Sequence, residues 1–190
     1  MNNLTFGFAM CGSFCTFSKA INQLKDIAKA GYDILPIMSQ NAYSTDTRFG
    51  KAGDFIDEVE DICNKKIISS IVDAEPIGPK KLVDLMIVAP CTGNTMAKIA
   101  NGITDTTVTM AVKSTLRIGL PVLVAPATND ALAASAQNIA KLLNTKNIYF
   151  VPMKQDNPIK KPTSVVSDFS LILPSALSAL EGKQIQPILL

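Results

Sequence analysis

Apolar and polar positions fall into alternating blocks along the chain. Residues 4–10 are apolar and stop at Cys11-Gly12-Ser13, which predicts a buried strand running into a tight loop. Over residues 16–30, Ala20, Ile21, Leu24, Ile27 and Ala28 recur at helical spacing, and Gly31 marks the stop. A second buried strand is expected over 34–38. Residues 39–53 are polar and contain Gly50 and Gly53, so they read as a loop. Phe55, Ile56, Val59 and Ile62 then form one stripe over 54–63, with Asp54 as the expected cap.

Residues 67–72 form a short β-branched run. Glu75-Pro76-Ile77-Gly78-Pro79 reads as a loop, because two prolines and a glycine disfavour a regular element. The clearest strand covers 82–89 and is expected to stop at Pro90; another covers 121–125 and stops at Pro126. Helices are predicted over 94–101, 106–117 and 130–144, and a strand over 147–151. A Pro/Lys-rich loop at 153–162 leads to a final helix over 164–181, with Pro174 placed to bend it.

Wholly apolar strands that alternate with helices imply an α/β fold: one doubly wound, Rossmann-like or flavodoxin-like parallel sheet flanked by helices. No internal repeat or linker interrupts the chain, so residues 1–190 are expected to form a single domain. Ligands of such folds bind beyond the carboxyl ends of the strands, near the switch point. Gly12-Ser13, the segment 90–95 and the segment 126–130 are all expected there.

Composition narrows the chemistry. A net charge of +2 gives no electrostatic support for nucleic-acid or anionic-membrane binding. The complete absence of His excludes His-based general bases, Ser-His-Asp and Cys-His systems, and His metal ligands. Cys11 and Cys15 form a C-x3-C spacing with no second pair, so no zinc site or disulfide framework is expected and no metal is assigned. A charged fraction of only 18% suggests a surface partly covered by copies of the same chain. The N-terminus lacks signal-peptide features, and no apolar run approaches the roughly 18 residues of a membrane span. A cytoplasmic protein is expected.

Three segments carry candidate chemistry. In Cys11-Gly12-Ser13, a small-residue turn leaves backbone N–H groups free for an anion; a structural turn fits the residues equally well. Ser39 opens a hydroxyl-rich strand end that suits a ribityl chain or a phosphate, or simply forms a polar loop. In the third, Pro90, Thr92, Gly93, Asn94 and Thr95 place hydroxyl and amide groups around a helix N-terminus, more of them than N-capping requires.

That third segment resembles the flavin-containing family of cysteine decarboxylases and their relatives, whose hallmark is a Pro-Ala-x-Ala-Asn-Thr turn. Pro90 and Asn94-Thr95 match it, while Cys91, Thr92 and Gly93 are substituted; Met96-Ala97-Lys98-Ile99-Ala100-Asn101-Gly102 continues like that family's helix. The later Pro-x-Met-Asn-x-x-Met-Trp motif survives only as Pro126 and Asn129. Thr47-Arg48-Phe49-Gly50, Ala74-Glu75-Pro76-Ile77-Gly78-Pro79-Lys80 and Thr145-Lys146-Asn147-Ile148-Tyr149-Phe150-Val151-Pro152 resemble one branch of the family, the flavoprotein half of a two-subunit oxidoreductase.

The resemblance implies FMN bound at subunit interfaces of trimers, which often assemble into dodecamers. Gly12, Ser13 and Ser39 would hold the phosphate and ribityl end, and Cys11, Pro90, Thr92, Gly93, Asn94, Thr95 and Thr128 would complete the cofactor site. The decarboxylases' active-site histidine would fall near Pro76, and this chain has none. The branch implies aromatisation of a cyclic dihydro- or hydroxytetrahydro-dicarboxylate in the mother cell of a sporulating bacterium, with NAD(P) on a nicotinamide-binding partner subunit. Asn129 and Arg48 are the candidate carboxylate contacts, with Lys80 and Lys81 as further cations, and Glu75 is the candidate proton acceptor. A flavin decarboxylase, a prenyltransferase-like enzyme and a non-catalytic scaffold remain open as alternatives.

Overall fold

The computed structural model describes residues 4–190. Among these residues the strands are β1 (Thr5–Met10), β2 (Asp33–Met38), β3 (Leu85–Cys91), β4 (Val122–Thr128), β5 (Ile148–Phe150), β6 (Met153–Asn157) and β7 (Lys161–Ser167). The helices are α1 (Phe17–Lys29), α2 (Gln40–Ser44), α3 (Ala52–Cys63), α4 (Ile71–Ala74), α5 (Gly93–Ala100), α6 (Thr107–Arg117), α7 (Ala136–Leu143) and α8 (Ile172–Leu180). Strands β2-β1-β3-β4-β5 lie side by side and parallel. The end of β4 then pairs antiparallel with β7, which carries β6 as a hairpin.

Alternation along the strands feeds two cores, one on each face. Phe6, Phe8, Met10, Leu85 and Ile87 pack with Phe17, Leu24 and Ile27 of α1, Val59 of α3 and Ile172 and Ala176 of α8. Ala9, Met86, Val88, Val122 and Val124 pack on the other face against Met96 of α5, Val108 and Val112 of α6 and Leu142 of α7. This is the expected doubly wound α/β sheet. Its central strands are apolar throughout because both faces are covered.

Several local expectations change, each for an identifiable reason. The run 67–72 contributes only an isolated bridge, Ile68 to Ile37. Ser70 caps α4 there by accepting from the Asp73 N–H (3.1 Å), so side-chain capping overrides β-branched propensity. The 75–79 segment contains a 3-10 turn, Glu75–Ile77, which Ser114 of α6 secures. The Gly78 N–H donates to the Ser114 hydroxyl (2.7 Å), which donates to the Glu75 carbonyl (2.6 Å). A Cβ on Gly78 would collide with the Ser114 carbonyl oxygen, so only glycine allows this approach.

Residues 39–53 are not all loop: Ser39 caps α2. The cap of α3 comes from Asp46, whose carboxylate accepts from the Ala52 N–H (2.8 Å), and Asp54 lies within the first turn.

Strands β3 and β4 run through their prolines. The Pro90 carbonyl still accepts from the Cys11 N–H (3.2 Å), and β4 is prolonged by its pairing with β7. The 130–144 helix shortens to α7, because Asp130 folds the preceding residues into turns. The 153–162 loop and the first part of the last helix are instead the β6–β7 hairpin. Asn157 closes it by accepting from the Ile159 and Lys160 N–H groups (3.2 and 2.8 Å). Pro174 lies in the first turn of α8, where its missing N–H breaks no helical bond.

Two features seal the margins of the parallel sheet. Ile68 exchanges backbone hydrogen bonds with Pro36 and Met38 along the outer edge of β2. At the far edge, the Gln184 side chain accepts from the Phe150 N–H and donates to its carbonyl, both at 2.7 Å.

Asp168 starts the 3-10 turn after β7. Its carboxyl is held below the ordinary carboxylate value by hydrogen bonds from the Ser170 hydroxyl (2.6 Å) and N–H (3.1 Å). A depressed carboxylate contributes stability that is complete above its unfolded value, about pH 3.9, and is lost as pH falls through the lower folded value. Asp168→Asn is therefore expected to lower the urea midpoint near neutral pH, with a gap to the native chain that closes on acidification below about pH 4.

Candidate functional site

The topology reverses between β1 and β3. The chain leaves β1 for β2 on one side and returns to β3 on the other, which opens a crevice at the strands' carboxyl ends. The Cys11 N–H bond to Pro90 ties the two strand ends together beneath it. The crevice has a volume of about 780 Å³, and its walls include Gly12, Ser13, Thr92, Gly93, Asn94, Thr128 and Asn129. Three separate segments that the sequence singled out therefore meet in one place.

The remaining expected positions divide into support and surroundings. Cys11 and Pro90 are buried in the floor. Thr95 is buried as well; its hydroxyl donates to the Cys11 sulfur (3.3 Å). The Thr92 hydroxyl donates to the Thr95 hydroxyl (3.1 Å) and accepts from the Thr95 N–H (3.2 Å). One capping chain thus occupies two of the three crowded polar side chains, and Asn94 is the one left exposed in the crevice. Ser39 sits beside the end of β1, its N–H donating to Met10, with its hydroxyl turned to capping Ala42.

Arg48 and Glu75 lie outside the crevice walls. The Arg48 guanidinium rests 4.9 Å from the centroid of Phe49, and Glu75 is exposed on the turn fastened to α6. Lys80 and Lys81 are exposed beyond that turn and likewise do not line the crevice.

The structure adds residues to which the sequence alone assigns no role. Asp130 lines the crevice, with its two oxygens bound by the Thr128 hydroxyl (2.5 Å) and the Ser135 hydroxyl (3.0 Å). This cluster also explains Gly93, where the family hallmark has alanine. A Cβ there would lie 2.7 Å from the Ser135 oxygen and 2.8 Å from oxygens of Asp130 and Thr128. Phe49, Cys15, Lys19, Asp156 and Lys161 also line the crevice. The pattern Asn157-Pro158 between two short runs was the available signal for the hairpin that brings Asp156 and Lys161 to the site.

The thiols are chemically distinct. Burial pushes the Cys91 thiol well above its ordinary value, reinforced by the adjacent Cys11, and pushes Cys63 up to about 12. Cys15 is exposed. A thiol reagent at pH 8 is expected to modify one group rapidly in the folded chain. Cys15→Ser should abolish that phase, and the other three thiols should react only after denaturation. Gly93→Ala is expected to disrupt the Asp130 cluster and destabilise the chain by about 1–3 kcal/mol in urea unfolding.

Known proteins place this geometry. The chain is 43% identical over 183 residues to the dipicolinate synthase B subunit of Bacillus subtilis (strain 168), covering 96% of this chain and 92% of that protein. The crystal structure of the dipicolinate synthase B subunit from Bacillus halodurans C superposes with a TM-score of 0.91 at 41% identity, covering 98% of this chain and 96% of the other. The FMN-dependent cysteine decarboxylase SpaF shares the fold, with a TM-score of 0.67 at 20% identity over 94% of this chain and 97% of its own. Among the described residues, no helix is long and apolar enough to cross a membrane. The family model described as Flavoprotein matches residues 1–170, and the chain belongs to that family.

Proposed function

We propose that the chain binds FMN in the crevice between β1 and β3 and acts as the B subunit of a dipicolinate synthase. It would work with a nicotinamide-binding A subunit, which carries the NAD(P), to convert dihydro- or hydroxytetrahydrodipicolinate to pyridine-2,6-dicarboxylate. The observation that carries this reading is the convergence of the Gly12-Ser13 and Thr92–Asn94 loops on one crevice at the switch point. Its volume lies within the roughly 300–1,000 Å³ of small-molecule and cofactor sites. The similarity to two dipicolinate synthase B subunits along nearly the whole chain supports the reaction.

The residues fit a flavin nucleotide. Gly12 and Ser13 offer a small-residue loop between β1 and α1 for the phosphate. The exposed Asn94 amide and the first N–H groups of α5 suit the polar rim of the ring system. A bound flavin supplies an acceptor for the hydride that leaves the substrate ring. Asn129, exposed on the crevice wall, would contact a substrate carboxylate. The absence of His leaves the decarboxylases' histidine role without a residue to fill it. In this reading the chain assembles as a homo-trimer or dodecamer in the cytoplasm of a sporulating mother cell.

Purified protein is expected to be yellow, with flavin absorbance that bleaches anaerobically on addition of the A subunit and reduced substrate. Flavin that stays oxidised under those conditions would favour a scaffold role. Carbon dioxide released from a cysteinyl peptide would favour a decarboxylase. Asn94→Ala should lower the flavin bound per chain without changing the urea midpoint. Native flavin content in that variant would place the cofactor elsewhere.

A further inference from the structure

We propose that Lys161 and Phe49 form the recognition site for a planar ring carboxylate at the rim of the crevice. Lys161 would pair with one carboxylate of the dicarboxylate, and Phe49 would cover the ring. This assignment rests on the reaction proposed above but concerns residues that the sequence alone does not single out.

Two observations converge on it. Lys161 opens β7 and lines the crevice, with its ammonium 2.7 Å from Asp156 of β6. Both side chains of that pair remain exposed, at 60% and 37%. Such a pair is held weakly, so an incoming carboxylate can take the place of Asp156 at little cost. Asp156 thus keeps the lysine at the rim and marks where an anion is accepted. Lys19 also lines the crevice, but it borders the adjoining groove too and acts electrostatically on Asp168 there. Lys161 is therefore the cation assigned to the ligand.

Phe49 lines the same crevice although it is 47% exposed. Its backbone is fixed by a tight turn. Thr47 and Gly50 exchange N–H···O bonds at 3.0 and 3.1 Å, and the Phe49 N–H donates to the Thr47 hydroxyl at 3.1 Å. The Arg48 guanidinium stacks against its ring. A large aromatic side chain carried on this turn at the edge of a cavity offers an apolar face to another planar ring.

The test is calorimetric titration of flavin-loaded protein with pyridine-2,6-dicarboxylate. Lys161→Gln is expected to weaken binding about tenfold or more and to reduce its salt dependence, with Lys161→Arg retaining most of the affinity. Phe49→Ala should weaken binding about fivefold or more. Lys160→Gln, on the same hairpin but off the crevice wall, serves as the control and should bind like the native protein. Native affinity in Lys161→Gln would overturn the assignment, as would native flavin-loaded protein that binds no dicarboxylate at millimolar concentration. Those results would leave the flavin reading intact, which fails instead if the purified chain retains no flavin.

Discussion

The joining of β1 and β3 at their carboxyl ends is the constraint from which the site follows. It is made by one main-chain hydrogen bond, from Cys11 to Pro90, at the point where the ladder would otherwise end. Proline cannot donate, but its carbonyl can accept, so the bond survives where a donor from β3 could not exist. Beyond it, Gly12-Ser13 on one side and Thr92–Asn94 on the other line the opening. Below it, Ala9 and Val88 stay in register between two apolar layers. The cores on the two faces therefore fix the position of a site to which they contribute few atoms.

The Thr92–Thr95–Cys11 chain shows how tightly packing and capping are joined there. One hydroxyl caps α5, a second links that cap to the sulfur at the end of β1, and the floor of the crevice becomes a single hydrogen-bonded unit. On the other wall, the Asp130 cluster presses against α5 so closely that a Cβ at position 93 would displace its oxygens. Gly93 thus leaves room for a carboxylate, Asp130, clasped by Thr128 and Ser135.

The fold was legible in the sequence because the parallel strands are largely apolar and the helices α1 and α3 carry apolar stripes. The site was legible where small and hydroxylated residues follow strands, as at Gly12-Ser13 and Thr92–Asn94. What could not be read was long-range. Asn157-Pro158 signals a turn within residues 153–167, but nothing local reveals that β4 will extend far enough to pair with β7, so the hairpin looked like a loop and part of a helix. Arg48 could be assigned to a carboxylate from its residue type alone; the structure stacks its guanidinium on Phe49, with Arg48 outside the crevice walls. Glu75 carried a carboxylate in a suggestive string, yet Ser114, almost forty positions away, holds that turn against α6 and outside the crevice walls.

The closure of the sheet margins bears on how copies of this chain can meet. An open parallel edge is a template onto which a neighbouring polypeptide adds by backbone pairing alone, with little regard for sequence. Here the Gln184 amide imitates a missing rung along β5, and Ile68 does the same for β2 with its own main chain. At these two points of the parallel sheet, backbone groups that a neighbouring strand would pair with are already taken, while β6 ends the antiparallel side with, among the described residues, only Met153 bridged, to Leu189.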